Sequence, residues 1–337
     1  CLMAGQGQAP ARQALFKGGL PQSTGAVTLS KMCGAGMEAT ILAHDQLIAG
    51  SREVMVSGGM ESMSGAPYLL KKGRGGYRMG HDKVFDHMML DGLEDAYEPG
   101  RSMGTFGEDC AAKYQFTREQ QDAFAIASVT RAQEAARSGA FDAEIAPVTL
   151  KTRKGEVTVS VDEGPAKARL DKIASLKPAF RKDGTITAAS SSSINDGAAA
   201  MVLMRASTAQ RLGCKPLARI VGHATHAQAP EWFSTAPVGA TEKLLKKIGW
   251  QVGEVDLWEI NEAFAVVPMA LMADLKIPHD KVNVNGGACA LGHPIGASGA
   301  RILVTLVHAL KARGLQRGLA TLCIGGGEAT AMAIELI

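Results

Sequence analysis

The chain has little excess charge of either sign. Lys and Arg number 36 against 33 Asp and Glu, a formal net charge of +3, so composition gives no push toward nucleic acid. It has no apolar run of the roughly 18 residues that a membrane helix needs. Its six cysteines (Cys1, Cys33, Cys110, Cys214, Cys289 and Cys323) show no paired short spacing. That argues against a zinc site, and their scatter predicts free thiols in a reducing compartment. Aromatic residues are few, at 5%. What is plentiful is glycine, 39 residues, and hydrophobic residues, 46% of 337. This composition suits a tightly packed α/β protein rich in turns, with enough core for two domains or subdomains. The chain opens at Cys1-Leu2-Met3-Ala4-Gly5. No strand or helix precedes this, so a native N-terminal segment is expected to be missing, and the lack of a targeting signal carries no weight.

The stretch around Cys33 organises the rest. Val27-Thr28-Leu29-Ser30-Lys31-Met32 is β-prone, Gly34, Ala35 and Gly36 are small, and Met37, Ile41, Leu42, Leu47 and Ile48 then recur at helical spacing up to Gly50. The pattern predicts strand, tight turn and helix, with Cys33 at the turn. A thiol there lies in the positive end of the helix dipole, which favours the thiolate. The glycines would leave room for a substrate to approach free backbone amides. A buried structural cysteine is the competing reading. A dinucleotide site is excluded, because that fingerprint needs an acidic residue at the end of the next strand. Here Val54-Met55-Val56 ends in Ser57-Gly58-Gly59.

Further elements follow in order. A short helix is predicted over Ala11 to Phe16, and a loop over Gly58 to Ser64. Residues 67–99 read as an irregular excursion with a Met88-Met89 pair. Thr117-Arg118-Glu119-Gln120 is a capping-box pattern, opening a helix that stops near Gly139. Two short strands with a Lys154-Gly155 turn are predicted between Ile145 and Val161. Residues 151–182 hold nine Lys and Arg against four Asp and Glu, a local balance of +5, which reads as a solvated basic face or a phosphate contact. Thr187 to Gly197 is small and polar, yet directly precedes an apolar strand, Ala199 to Met204, so a tight loop lining a site is credible. Strands are then predicted at Val255–Ile260, Val282–Val284, Ala320–Ile324 and Ala331–Ile337, alternating with helices from Ala263 and through Ile302 to Leu310. Asn261, His293 and Cys323 all stand at or just after predicted strand ends, the last two close to glycine. In doubly wound sheets, sites form at strand carboxyl ends. Taken singly, they read as a helix cap, a loop histidine and a core cysteine.

Five blocks carry a resemblance: Lys31-Met32-Cys33-Gly34-Ala35-Gly36-Met37, Gly58-Gly59-Met60-Glu61-Ser62-Met63-Ser64, Asn261-Glu262-Ala263-Phe264-Ala265, Gly292-His293-Pro294-Ile295-Gly296-Ala297-Ser298-Gly299 and Cys323-Ile324-Gly325-Gly326-Gly327. In this order they resemble the thiolases, in particular the acetyl-CoA acetyltransferase group, over nearly the whole chain. The resemblance implies a five-layered αβαβα fold of two similar α/β halves. It divides the chain into residues 1–66 (the first part of a truncated N-terminal half), an inserted loop domain at 67–185, the rest of that half at 186–213 and a C-terminal half at 214–337. A central strand ahead of Gly5 would be missing, so the chain alone is expected to fold poorly.

By the same resemblance, Cys33 is the acylated nucleophile and Cys323 the acid/base at the substrate α-carbon. His293 activates Cys33 and serves one oxyanion hole, where Asn261 holds a water. The amides of Cys33 and Gly325 form a second hole. The residue types suit this chemistry, since a thioester calls for a soft nucleophile and an enolate for preorganised donors. Coenzyme A, as part of the acyl-CoA substrates, is expected along the loop domain at Met103, Phe180, Ala188 and Ser192, with no metal and no permanently bound cofactor. Many members carry His where this chain has Ser102, and Arg near Pro165-Ala166-Lys167, so Lys167 and Lys172 are the expected phosphate contacts. A cytoplasmic homo-oligomer, dimer or tetramer, is implied, without nucleic-acid or membrane partners. The apolar side chains in Lys71–Met89 are expected to add contacts between dimers. A ketoacyl synthase shares the architecture but lacks a second catalytic cysteine. A non-catalytic acyl-CoA-binding relative would be expected to lose one of these groups, and a cysteine protease does not suit glycine-rich strand ends. A longer-chain 3-ketoacyl-CoA thiolase remains the nearest alternative.

Overall fold

A computed structural model describes residues 1–337. Helix α1 (Pro10–Lys17) precedes α2 (Ala35–Ile48), which follows the Cys33 turn. The predicted strand before Cys33 does not form. The segment has only an isolated bridge between Lys31 and Cys33, and Val27 is 78% exposed; β-prone residues without a neighbouring strand to bond remain a loop. Strand β1 (Val54–Ser62) runs antiparallel to β6 (Asp196–Met204), from Val54 opposite Met204 to Ser62 opposite Asp196.

Between these two partners the chain makes a long excursion. It contains the two-residue pair β2 (Tyr68–Leu69) and β3 (Phe85–Asp86), then α3 (Met103–Tyr114) and α4 (Arg118–Ser138). The hairpin of β4 (Val148–Thr152) and β5 (Gly155–Val159) and the short α5 (Glu163–Lys167) complete it. The capping box forms as its sequence predicts: the Gln120 amide donates to Thr117 Oγ1 at 3.3 Å, and the Thr117 amide to Gln120 Oε1 at 2.9 Å. Gly139, with φ 74°, ends α4.

After α6 (Ala206–Leu212), the last third builds one sheet from β7 (Ala218–Ala227), β8 (Leu257–Ile260), β9 (Arg317–Ile324) and β10 (Glu328–Leu336). Their spatial order is β7-β10-β9-β8, with only β8 and β9 parallel. Helix α7 (Ala236–Ile248) packs on the outer face of that sheet. Helices α8 (Val266–Leu275), α9 (Ala288–Leu291) and α10 (Ile295–Arg313) lie between β8 and β9 in sequence. The strand expected at Val282–Val284 shrinks to an isolated parallel bridge between Val282 and Trp258, with the Asn283 amide on the Trp258 carbonyl at 2.9 Å, and a side chain extends the contact. Asn283, at φ 46°, bonds the Ile260 amide and carbonyl through its own amide group, both at 2.8 Å, as a neighbouring strand would.

Helices α2 and α10 form a shared layer between the two sheets. Met37 and Ile41 of α2 join Ile302, Leu303 and Leu306 of α10, and Leu322 and Met332 of β9 and β10, in one core cluster. Helix α10 is long and apolar enough to cross a membrane by length and composition, although polar residues interrupt its apolar run, but 67% of its 18-residue apolar window is buried inside the protein. The halves match in plan. Helix α2 leads into β1 as α10 leads into β9, and β1 pairs with β6 as β9 pairs with β10. The tight Gly325-Gly326-Gly327 turn of one half corresponds to the whole Met63–Asn195 excursion of the other. The outer face of β1 and β6 carries Val54, Val56, Met60 and Val202, each between 42% and 64% exposed.

Glycines set how closely these layers meet. A Cβ on Gly36 would stand 2.7 Å from the Ala300 amide nitrogen, and one on Gly299 2.5 Å from that of Met37. A Cβ on Gly59 would overlap the Gly296 carbonyl and lie 2.8 Å from Ala297 Cα. The expected Gly58–Ser64 loop is therefore strand through Ser62, with glycine there because a helix backbone presses on it. The same contacts correct the expectation that the glycines after Cys33 serve substrate access: Gly34 and Gly36 face Ile324 and Ala300. Substitution of Gly59 by Ala should cost about 1–3 kcal/mol or more through overpacking against backbone, while Val56→Ala, at 50% exposure, should cost less than about 1 kcal/mol. Denaturant melts of the two variants compare them; equal midpoints would remove the close-packing argument.

Candidate active site

Cys33 stands where the chain enters α2. Met32 before it has φ 46°, a left-handed conformation that costs a non-glycine residue free energy. The thiol keeps some solvent exposure, yet the dense packing around its sulfur pushes its pKa up to about 11. The amides of Gly325 and of Cys33 itself bond the sulfur and pull the other way, and the Glu61 charge adds to the rise. This differs from the expected thiolate: desolvation outweighs the two backbone amides, and the thiol is neutral near pH 7.

His293 precedes α10, the counterpart of α2. Burial, with the Arg301 charge adding, pushes its pKa down to about 4, so the ring is neutral near pH 7. Its tautomer follows from its neighbour. Ser298 Oγ donates to the Pro294 carbonyl at 3.0 Å, and therefore accepts from His293 Nδ1 at 2.5 Å. The proton sits on Nδ1, and Nε2 is a bare lone pair. Nε2 is buried and bonds nothing in the protein.

Asn261 follows β8, and its backbone amide bonds the Thr321 carbonyl at 3.0 Å. Its Nδ2 is 3.5 Å from His293 Nδ1, and its Oδ1 is a second buried atom without a partner. Buried polar atoms left unbonded are costly, and a water or ligand atom relieves them. Cys323 lies near the end of β9, fully buried. Its thiol is held well above its ordinary pKa by burial and then by the Cys33 charge, which places the two sulfurs within electrostatic reach of each other. The structure thus gathers Cys33, Asn261, His293, Cys323 and Gly325 at the ends of β8 and β9 and the starts of α2 and α10.

Three residues that the sequence reading passed over hold this group in place. Glu61 is buried and accepts from the Gly296 amide at 2.8 Å, in the first turn of α10, and from the Leu2 amide at 3.0 Å. Glu262 accepts from Ser128 Oγ and Asn283 Nδ2, both at 2.7 Å, and from the Cys289 amide at 3.0 Å. Ser298 sets the histidine tautomer. All three lie inside the recognised blocks, where a buried carboxylate or hydroxyl beside a reactive residue was the available signal. The small polar loop is pinned rather than flexible. Ser190, Ala263 and Ser193 carbonyls take the amides of Ala265, Ser192 and His293 at 2.8, 3.0 and 3.0 Å.

The expected coenzyme positions fall into two groups. The Met103 methyl lies beside Gly325, 3.6 Å from where a Cβ would begin. The Phe180 ring fills the space next to Gly104 and meets Phe264 edge-on at 5.6 Å, while Ala188 is exposed on the pinned loop that also holds Ser192. Lys167 and Lys172 are exposed, further out along the excursion. Lys167 pairs with Glu163 at 2.7 Å, which offsets its charge. Their segment rests on α9, with Ala168 and Leu170 against Ala290, just ahead of Gly292-His293.

A neutral resting thiol has a kinetic signature. Alkylation of Cys33 by iodoacetamide, read by peptide mapping, should still be accelerating at pH 10, because the thiolate fraction grows up to about pH 11. A rate that levels off below pH 8 would mean a resting thiolate instead.

The chain matches known proteins over its whole length. Residues 1–207 match the family model for the thiolase N-terminal domain, and residues 214–336 that for the thiolase C-terminal domain. An acetyl-CoA acetyltransferase of Chromobacterium violaceum is 51% identical over 99% of this chain and 86% of its own length. A probable acetyl-CoA acetyltransferase of Dictyostelium discoideum is 50% identical over 99% and 81%. Among solved structures, an acetyl-CoA acetyltransferase of Bacillus anthracis superposes with a TM-score of 0.96 at 43% identity, covering 100% of this chain and 85% of the other. A thiolase from Ascaris suum in complex with coenzyme A gives 0.94 at 43% identity, covering 100% and 86%. With its fold, its two matched domains and these relatives in agreement, the chain belongs to the thiolase family.

Proposed function

We propose that the protein is an acetyl-CoA C-acetyltransferase, condensing two acetyl-CoA to acetoacetyl-CoA and coenzyme A, and running the thiolytic reverse, through an acyl-cysteine. The observation that carries this reading is the pairing of two neutral thiols, Cys33 and Cys323, with a neutral imidazole whose bare Nε2 has no partner in the protein. Neither thiol is a nucleophile or base until it loses its proton, and the steps below supply an acceptor for each.

In the first half-reaction His293 Nε2 takes the Cys33 proton as the sulfur attacks the acetyl carbonyl. The carbonyl oxygen's developing charge takes the amides of Cys33 and Gly325, beside the imidazolium that forms. The C–S bond to coenzyme A breaks, and Cys323 gives its proton to the departing thiolate. That leaves Cys323 as the base for the second half-reaction, where it removes the α-proton of the incoming acetyl-CoA. The enolate oxygen takes the His293 Nε2–H and a water on Asn261, and the enolate carbon attacks the acetyl group on Cys33, whose oxyanion again takes the amides of Cys33 and Gly325. The C–S bond to Cys33 breaks, and His293 returns its proton to that sulfur. Each proton borrowed is restored over the cycle. The elevated thiol pKa of Cys323 suits its work, since a strong base is needed for a weakly acidic carbon.

Residues 67–185 would form the domain that holds coenzyme A, between N-terminal pieces 1–66 and 186–213 and ahead of a C-terminal half at 214–337. Met103, Phe180, Ala188 and Ser192 would contact the pantetheine end, with Lys172 the stronger phosphate contact now that Lys167 is paired. Six unpaired cysteines support a cytoplasmic setting, where the thiolytic direction would serve β-oxidation. A homo-oligomer, up to a tetramer, would cover Tyr77, Met79 and Val84, which are 43%, 105% and 59% exposed; light scattering reads the particle mass, and a monomer at micromolar concentration contradicts it.

Thiolysis measured across 3-oxoacyl-CoA chain lengths tests the substrate. Acetoacetyl-CoA should be turned over with the highest kcat/KM; a preference for long chains would favour the longer-chain thiolase, and no turnover of any would leave a binding protein. Cys323→Ser should slow condensation by ~10²–10⁴, the usual contribution of a general acid–base group. Condensation at the parental rate would remove Cys323 from the mechanism.

A further inference from the structure

A second group of chemically capable side chains lies away from the reaction site. His44 and Asp45 stand in the C-terminal half of α2, and His223 stands in β7. One carboxylate oxygen, Asp45 Oδ1, meets His44 Nδ1 at 3.1 Å and His223 Nε2 at 2.9 Å. The two rings are edge-to-face with centroids 5.2 Å apart, and the three ligand atoms all lie within 4.8 Å of one another. None of these residues belongs to the blocks that mark the family.

We propose that His44, Asp45 and His223 form a binding site for a divalent first-row transition metal of the zinc class, joining the two halves of the chain. Two imidazoles and one carboxylate are the donor set that zinc, cobalt and nickel favour, whereas magnesium and calcium favour oxygen alone. Ligands bound tetrahedrally at about 2.0–2.1 Å stand about 3.3 Å apart. The two contacts with Asp45 are therefore already close to the required spacing, and the two ring nitrogens need to approach by at most roughly 1.5 Å. His44 has only to carry its proton on Nε2, and His223 on Nδ1, to offer lone pairs inward.

The surroundings suit an exchangeable ion. The His44 and His223 side chains are 22% and 14% exposed and so are largely held by packing, while that of Asp45 is 55% exposed and open to solvent. Three protein ligands leave at least one position for water. Asp45 pairs with no Lys or Arg, only with the two imidazoles. His223 lies opposite Met332, a member of the central cluster, so its ring faces the α2 layer. Lys247 bonds the His223 carbonyl at 3.0 Å from the α7 side of the sheet. Because α2 belongs to the first half and β7 to the second, an ion bound here ties the halves and stabilises the folded chain by mass action.

The test uses the intact protein with Co²⁺ and Zn²⁺ as probes and does not depend on the proposed reaction. Co²⁺ should give one equivalent of visible d–d absorption without the near-ultraviolet band of a cobalt–thiolate, and Zn²⁺ should displace it. His44→Gln and His223→Gln should each weaken Co²⁺ binding by at least about tenfold. Saturating Zn²⁺ should raise the thermal midpoint of the parent and leave that of His223→Gln unmoved. No binding at millimolar Co²⁺, parental affinity in either variant, or a thiolate band rising with the bound metal would each overturn the assignment.

Discussion

The close approach of backbone to backbone in the shared helix layer is the constraint on which the site depends. Gly36 and Gly299 let α2 and α10 meet with no side chain between them, and Gly59 and Gly296 bring β1 onto the start of α10. A helix pair separated by even one methyl group would move the start of α2 away from that of α10. Cys33 stands at one of these starts and His293 at the other, so close packing sets the distance between the two proposed reacting groups. Glu61 completes the contact from β1, with one carboxylate oxygen on the α10 amide of Gly296. Reacting groups held by rigid elements in this way need no reorganisation when charge develops.

The same packing sets the resting charge state. Dense surroundings raise both thiols and lower the imidazole, so the site rests without charge on any of the three. Under the proposed mechanism, charge would arise only as a thioester is attacked, when thiolate and imidazolium would form as a pair or the charge would move to an oxyanion. An uncharged resting site also limits unwanted oxidation or alkylation, since the thiolate is the reactive form. Ser298 contributes without touching the reacting atoms: by donating to the Pro294 carbonyl it becomes an acceptor only, and that selects the histidine tautomer with Nε2 free.

Local patterns were legible in the sequence where a residue's own chemistry decides the outcome. The capping box at Thr117, the hairpin turn at Lys154-Gly155 and the helix ending at Gly50 follow from side-chain and backbone rules that act within a few positions. Cys33, Asn261, His293 and Cys323 were legible because each stands at or near an element's end, inside one of the five recognised blocks. What the sequence hid was long-range. Gly58 and Gly59 read as a loop, since nothing nearby shows that α10 will press on them. Val282–Val284 reads as a full strand, since nothing nearby shows that backbone pairing with β8 will stop after one bridge and the Asn283 side chain will take over. The thiol of Cys33 reads as activated by its helix, since local dipoles are visible in a sequence and the crowding of the sulfur by distant segments is not.

The central claim is that Cys33 takes the acyl group with His293 Nε2 as its base. Incubation with acetyl-CoA, quenching in acid and mass mapping of the cysteine peptides tests it directly. The account predicts acetyl on the Cys33 peptide in the parent protein, and at least about a hundredfold slower labelling in His293→Ala. Acetyl found on Cys323 instead, or labelling of Cys33 at an unchanged rate without the imidazole, would contradict it.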